Sequence, residues 1–294
     1  MELKSLIDKE IENFGADDYR LIDSVYIALD KAHIKRTKNI CLIPESDERR
    51  GGKHSYAEWA HVIGIIQTVI FIHLQNKENN RVLDVGSGTG LVGISAEPFL
   101  GEEGKLFGID VLKKNIEFCQ SHYPADKYEF IHLDTNNSLY TPDEAKKRLE
   151  WPVDTSSFDL VTALSVWTHF NEDDAVFYLK EVKRVLKKNG KAIISFFILD
   201  NAYNDSLSKR SEETSQYHMT PTNQWVFDLP AYGSDAWFYP SRAKIPESAI
   251  GISEEGLDRL LSSSGLKLVE YYQGNWKETP GIFFQDIVVF ERIS

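Results

Sequence analysis

Cysteine is scarce, with Cys41 and Cys119 the only two in 294 residues. Two thiols cannot build a disulfide framework or a cysteine-based metal centre, and they read as free thiols of a reducing compartment. His, Glu and Cys show no ligand-like spacing, so no metal is expected. Long apolar runs are missing too. The longest, Val62 to Leu74, is shorter than the roughly 20 residues needed to cross a bilayer and reads as a buried helix. The charged segment Met1 to Glu10 lacks the apolar core of a signal peptide. These absences lead us to expect a soluble, cytoplasmic protein with no membrane partner. Basic charge is in deficit, at 33 Lys and Arg against 45 Asp and Glu, for a net charge of −12. That balance repels polyanions, and basic and aromatic residues are too sparse for a nucleic-acid groove, so nucleic acid is not an expected partner. There are no internal repeats or low-complexity tracts.

The remaining composition, 42% hydrophobic and 27% charged, is that of a globular chain. The length suggests one large domain with an appendage. Residues 1–77 read as an N-terminal helical cap. Leu3, Leu6, Ile7, Ile11 and Phe14 recur at helical spacing, as do Leu21, Ile22, Val25, Tyr26 and Leu29. Ser55 followed by Glu58 is a capping-box signature for a helix running to about Leu74. From residue 78 the pattern changes. Short apolar strands are expected at Arg81–Val85, Leu106–Asp110, Tyr128–Leu133, Phe158–Leu164 and Lys191–Leu199, with helices at Lys113–His122 and Asp173–Lys188. Such alternation implies a parallel sheet covered on both faces. Residues 200–250, rich in Tyr, Trp, Asn, Ser and Pro, break the rhythm and read as an insert. A helix from Ser253 to Ser263 and two strands, Leu266–Tyr272 and Phe283–Glu291, close the chain. The last two strands have no helix between them and can pair antiparallel. The expected fold is α/β: a Rossmann-like, seven-stranded, mostly parallel sheet whose last strand is antiparallel.

The strongest motif is Leu83-Asp84-Val85-Gly86-Ser87-Gly88-Thr89-Gly90. A strand feeds a turn whose glycines let the backbone bend sharply and approach a ligand, and Asp84 sits at the carboxyl end of the strand, where open α/β sheets bind ligands. A dinucleotide fingerprint competes, since Gly88, Gly90 and Gly93 fit G-x-G-x-x-G. That frame starts late after the strand and leaves Asp84 and Gly86 without a role. A carboxylate is also repulsive beside a pyrophosphate, whereas it is favourable beside an ammonium or sulfonium.

The segment Leu83 to Gly90 closely resembles the first motif of class I S-adenosylmethionine-dependent methyltransferases, and the resemblance extends over about residues 80–200 and more loosely to the last two strands. It implies a carboxylate at the end of the second strand holding the ribose hydroxyls, which Asp110 matches. An acidic or polar residue after the third strand near the adenine amino group is matched by Asp134. Ala163 to Phe170 resembles the segment beneath the methyl donor. The implied donor site comprises Asp84, Gly86, Ser87, Gly88, Gly90, Asp110, Val111, Asp134, Thr135 and Leu164. The implied cofactor is S-adenosylmethionine, with S-adenosylhomocysteine as product. Asp84 could instead be purely structural, Asp110 a helix cap and Asp134 a turn residue. The Asn/Asp-Pro-Pro-Tyr/Phe tetrad of DNA amino-methylases is absent, because Ala163-Leu164-Ser165-Val166 stands there.

Methyl transfer is a displacement that depends on alignment, and a hydroxyl or ammonium nucleophile also needs a base. His169, after the fourth strand, is the candidate base, unless it only caps or packs the next helix; His54, His61 and His218 are weaker candidates. The acceptor side is expected to draw on Trp167, Tyr217, His218, Trp237, Tyr239 and Arg242, with Arg49, Arg50, Trp225, Phe238 and the Gly274-Asn275-Trp276 loop nearby. Aromatic faces and a cation suit sugar rings, planar heterocycles or alkylammonium groups, although these aromatics could equally form the insert's own core. The expectation is O-methylation of a small molecule or saccharide. The alternatives are N-methylation of a small amine, an NAD-dependent oxidoreductase, or a binding module without turnover.

Overall fold

Ser55 opens the first helix, α1 (Tyr56–His73), with a complete capping box. Its hydroxyl accepts from Glu58 N and its own N–H donates to the Glu58 carboxylate, each at 3.0 Å. The computed structural model describes residues 41–51, 53–135 and 148–293, so the two helices expected over residues 1–31 lie outside the described residues. Among those described, no helix is long and apolar enough to cross a membrane. Trp59, Ile63, Ile66 and Ile70 form the buried stripe of α1, which packs against the helix that follows the glycine turn.

Five strands then alternate with three helices: β1 (Arg81–Val85), α2 (Leu91–Ala96), β2 (Lys105–Asp110), α3 (Lys113–His122), β3 (Tyr128–His132), β4 (Phe158–Ala163), α4 (Glu172–Val185) and β5 (Leu186–Phe196). The insert contributes β6 (Ile198–Leu199), α5 (Asn201–Ser206), β7 (Leu229–Pro230), β8 (Trp237–Tyr239) and β9 (Gly251–Ser253). The chain closes with α6 (Glu254–Ser264), β10 (Lys267–Tyr272) and β11 (Asp286–Glu291). The main sheet has seven strands in the order β10-β11-β5-β4-β1-β2-β3. β1 to β5 are parallel, while β11 lies antiparallel between β5 and β10. The order reverses between β1 and β4, which places a crevice at their carboxyl ends.

Both faces of the sheet are buried, as its helical layers require. Leu83, Val85, Val161, Ala163 and Ile194 point into the core beneath α4 and α6. Val82, Leu160 and Ile193 point into the core beneath α1, α2 and α3. This is the two-residue alternation of a strand.

Two expectations need correction. The helix expected to reach Lys188 stops at Val185, because Leu186 is fully buried and already pairs with Phe158 as strand. Residues 187–190 then bulge before Lys191 pairs with Leu160. Asn189 takes a left-handed φ of 63° there and donates to Arg292 O at 2.7 Å. The insert, expected to be irregular, carries its own four-stranded sheet in the order β6-β9-β8-β7. Its strands are two or three residues long, too short to show a period of two in the sequence.

A buried polar network ties this insert to the last two strands. Lys277 is 0% exposed, with its ammonium 2.7 Å from Asp200 and 3.1 Å from Asp286. The Tyr271 hydroxyl donates to both carboxylates at 3.0 Å. Asp286 also accepts from Ile198 N, Gly274 N and Trp276 Nε1. Removing the lysine would leave a buried carboxylate without its counter-charge, the expensive way to break such a pair. Lys277→Met should therefore destabilise the fold by about 3–5 kcal/mol, read as a lower urea midpoint. A loss below about 1 kcal/mol would mean that the network contributes little.

Candidate active site

The glycine turn is built by β1 handing over to β2. Gly86 N and Ser87 N both donate to Ile109 O, at 2.8 and 3.1 Å, so the turn folds back over the end of β2. Gly86 has a φ of 67°, and a Cβ there would stand 2.6 Å from Val166 Cγ2. Gly90 has a φ of 93°, and a Cβ there would collide with the Tyr123 ring. Both positions therefore require glycine, one to let the post-β4 segment approach and the other to start α2.

Two carboxylates stand at the strand ends. Asp110 is 8% exposed; its Oδ2 accepts from Gly88 N at 2.8 Å and its Oδ1 from Leu112 N at 2.7 Å. Burial raises its pKa against these bonds. Asp84 is 1% exposed and accepts from Thr162 Oγ1 at 2.8 Å through one oxygen, while the other has no partner. Burial pushes its pKa up to about 7, with the Thr162 bond opposing the shift and the charge of Asp110 adding to it.

These groups line a cavity of about 670 Å³ above the carboxyl ends of the strands. Asp84, Gly86, Ser87, Gly88, Asp110, Val111, Thr135 and Leu164 all face it. Ser87 Oγ, Thr89 Oγ1, Asn115 Oδ1 and Thr168 Oγ1 also belong to lining residues and are buried without partners. Orphaned buried polar atoms among the residues that line one cavity are the mark of a polar ligand. Gly90 is not part of the lining, and its role is the steric one above. Asp134 is also absent from the lining. Its side chain is exposed while Leu133 and Thr135 are buried, because Thr135 N donates to Leu133 O at 2.8 Å in a tight turn centred on Asp134.

The other wall is formed after β4 and by distant segments. Ser165, with a left-handed φ of 55°, donates its N–H to Ser195 Oγ, and both serine hydroxyls donate to Gln285 Oε1. His169 ends a short 3-10 turn, and its Nδ1 lies 2.7 Å from Glu247 O. A carbonyl only accepts, so Nδ1 carries the hydrogen and Nε2 is the basic nitrogen of the neutral ring. Burial lowers the His169 pKa, and the Glu247 contact partly opposes this. Phe170, Phe197, Trp225, Ser248, Ala249, Phe283 and Phe284 complete this wall, with Arg50, Gly51, Lys53 and Trp59 entering from the segment around α1.

The expected acceptor residues lie elsewhere. Trp167 is core: its Nε1 donates to Ala175 O at 3.2 Å. Trp237 is 0% exposed inside the same core, with Tyr239 packed against it. His218 is held by Glu278 at 2.8 Å and by Thr220 at 3.0 Å, and Tyr217 sits beside it. Arg242 lies over the Trp225 ring and donates to Gln224 O. None of these six faces the cavity. Of the neighbouring candidates, Trp225 and Arg50 do face it. Arg49 is buried and braces Pro44 O and His54 O, His54 and His61 are exposed outside the lining, and Trp276 and Phe238 pack in the insert's aromatic core. Lys53, Trp59, Phe197 and Phe283–Gln285 went unnoticed in the sequence, where nothing local marks them. Asn115 was legible in hindsight, since its place in the first turn of α3 brings it to Asp110. Among the described residues, no three His, Cys, Asp or Glu side chains converge as a metal site.

The family described as "Methyltransferase domain" matches residues 76–243. The chain belongs to the S-adenosylmethionine-dependent methyltransferases. It is 31% identical over 118 residues to the ubiquinone biosynthesis O-methyltransferase of Pelagibacter ubique, covering 40% of this chain and 42% of that one. It is 28% identical over 123 residues to the arsenite methyltransferase of Rattus norvegicus, covering 41% and 32%. The chain thus spans less than half the length of these relatives. The structure of an S-adenosylmethionine-dependent methyltransferase from Methanosarcina mazei is similar at a TM-score of 0.49 and 19% identity, over 76% of this chain and 97% of that one. The dinucleotide frame loses its last glycine to packing: Gly93 lies inside α2 against Tyr128 and Leu106.

The residues present fit S-adenosylmethionine. Asp110, held by two backbone amides, keeps lone pairs for ribose hydroxyls. The unpartnered oxygen of Asp84 suits the amino-acid ammonium. Because Asp84 titrates at about 7 in the ligand-free protein, a cationic ligand is favoured once the carboxylate is ionised. Affinity for S-adenosylhomocysteine should therefore rise from about pH 6 to about pH 8, by roughly fivefold to tenfold. Asp84→Asn should bind more weakly and with a flat profile. Calorimetry across this range decides; a flat profile in the unmodified protein would remove Asp84 from contact with the ammonium.

Proposed function

We propose that the protein transfers the methyl group of S-adenosylmethionine to a hydroxyl oxygen of a small molecule, saccharides included, with His169 as general base. S-adenosylmethionine supplies a methyl carbon already activated by a positively charged sulfur. The observation that carries the reading is that His169 lines the same cavity as Asp84, Asp110 and the glycine turn. Its Nδ1 is fixed on the Glu247 carbonyl, so Nε2 is left in the proton-accepting form. Burial keeps the imidazole neutral at physiological pH. A relative named for O-methylation in ubiquinone biosynthesis supports oxygen as the accepting atom.

The work left to the chain is positioning and exclusion of water. Arg50, Gly51, Lys53 and Trp59 from the N-terminal region, and Trp225, Ser248 and Ala249 from the insert, act as the two halves of a lid over the acceptor.

The experiment is incubation with methyl-labelled S-adenosylmethionine and fractionated cell extract, with Asp84→Ala as control. Label is expected in the small-molecule or glycan fraction. Label confined to protein or nucleic acid overturns the acceptor assignment, and donor binding without any label favours a binding module. With the labelled acceptor in hand, His169→Gln should slow turnover about 100- to 10,000-fold while leaving S-adenosylhomocysteine affinity intact. Because the His169 pKa is lowered, the acid limb of the rate profile should lie below the ordinary imidazole value of about 6.5. Unchanged turnover in His169→Gln would end its assignment as base.

A further inference from the structure

The charges around the cavity are sorted by side. Asp84 and Asp110 stand at the donor end, tied to the glycine turn and to β2. Arg50 lies over that same turn, its Cβ facing Gly88, and its guanidinium is consumed by Glu48 at 2.8 Å and by the carbonyls of Asp47 and Arg49. Lys53 differs. It lines the cavity half-buried, and the hydrogen bond of its ammonium goes to Gly51 O at 3.2 Å. No carboxylate among the described residues pairs with it. Glu58, the acid whose charge reaches it, is engaged in the Ser55 capping box. The ammonium lies 5.8 Å from the centre of the Phe283 ring, in the segment leading into β11, on the acceptor side of the cavity. Its backbone is pinned by Trp59 Nε1, which donates to Lys53 O at 3.1 Å.

A half-buried lysine with no counter-ion is unfavourable, and burial of the side chain lowers its pKa, although the ammonium's bond to Gly51 O is exposed. An anionic group on the bound molecule would supply the missing charge through a charge-assisted hydrogen bond. The surrounding walls are flat and apolar. Phe197 and Trp225 stack at 5.2 Å and 30°, and Trp225 meets Phe284 edge-on at 5.0 Å. Flat aromatic walls select a planar ring. The chain's net charge of −12 gives no long-range attraction for an anion, so recognition must come from a local cation.

We infer that the acceptor is a small hydroxy-substituted aromatic acid, whose carboxylate pairs with Lys53 while its ring packs against the aromatic wall. This rests on the methyl-transfer reading above and narrows it: a neutral sugar would leave Lys53 without a counter-charge.

The test is calorimetric titration of the protein saturated with S-adenosylhomocysteine. The probes are 4-hydroxybenzoate and salicylate, each compared with its neutral amide, 4-hydroxybenzamide and salicylamide. At least one acid should bind about tenfold or more tighter than its amide. Lys53→Met should erase that preference, Lys53→Arg should keep most of it, and both variants should bind S-adenosylhomocysteine within about twofold of the unmodified protein. Retained S-adenosylhomocysteine binding also shows that the variants are folded. Equal binding of acid and amide, or no binding of either acid, overturns the inference. So does loss of S-adenosylhomocysteine affinity in Lys53→Met, which would assign the lysine to the donor's own carboxylate. Label transfer in the extract experiment does not involve Lys53, so it reports on methyl transfer independently.

Discussion

The bond from Gly88 N to the Asp110 carboxylate joins the end of β2 to the turn that leaves β1. With the two amides that donate to Ile109 O, it holds the turn in one position over the sheet. That position fixes how much room Val166 leaves at Gly86, and hence where the post-β4 segment runs. It also buries Asp84 beside Thr162 with one oxygen unsatisfied. A carboxylate in that state is costly, and a cationic ligand relieves the cost. The unsatisfied oxygen of Asp84 and the turn that covers it thus have a common origin at the sheet's switch point.

The acceptor wall depends on a second tether. The Lys277–Asp200–Asp286 network fixes the start of the insert against β10 and β11. The far end of the insert is fixed by Ile250 N donating to Thr168 O at 2.7 Å and by Glu247 O against His169. Between these anchors, Trp225, Ser248 and Ala249 are brought to a cavity whose other lining comes from residues 50–178, Phe197 and Phe283–Gln285. The insert therefore does two things: it contributes Trp225, Ser248 and Ala249 to the cavity lining, and the Glu247 carbonyl sets the tautomer of His169.

Sequence and structure agree where the chemistry is local. The capping box at Ser55, the glycines of the turn, and strands ending at Val85 and Asp110 each follow from contacts within a few residues. Disagreement arises where a side chain's direction depends on its packing. Asp134 and Thr135 are adjacent, but only Thr135 faces inward. Trp167 and His169 are two residues apart in one turn, but Trp167 is core while His169 lines the cavity. The aromatics of the insert carry no period, so the sequence could not say which line a site and which fill a core; Trp225 does the first and Trp237 the second.

The glycine turn and the two carboxylates at the strand ends were determined by the sequence alone, because short-range backbone geometry sets them. Which residues meet on the opposite wall was decided largely by the tertiary structure. Lys53, His169, Trp225 and Phe283 are separated by up to 230 residues, and they share one cavity only because β11 inserts beside β5 and the insert folds back over β4. Nothing local in the chain encodes such a meeting; it follows from burying both faces of one sheet and satisfying the polar groups at its ends.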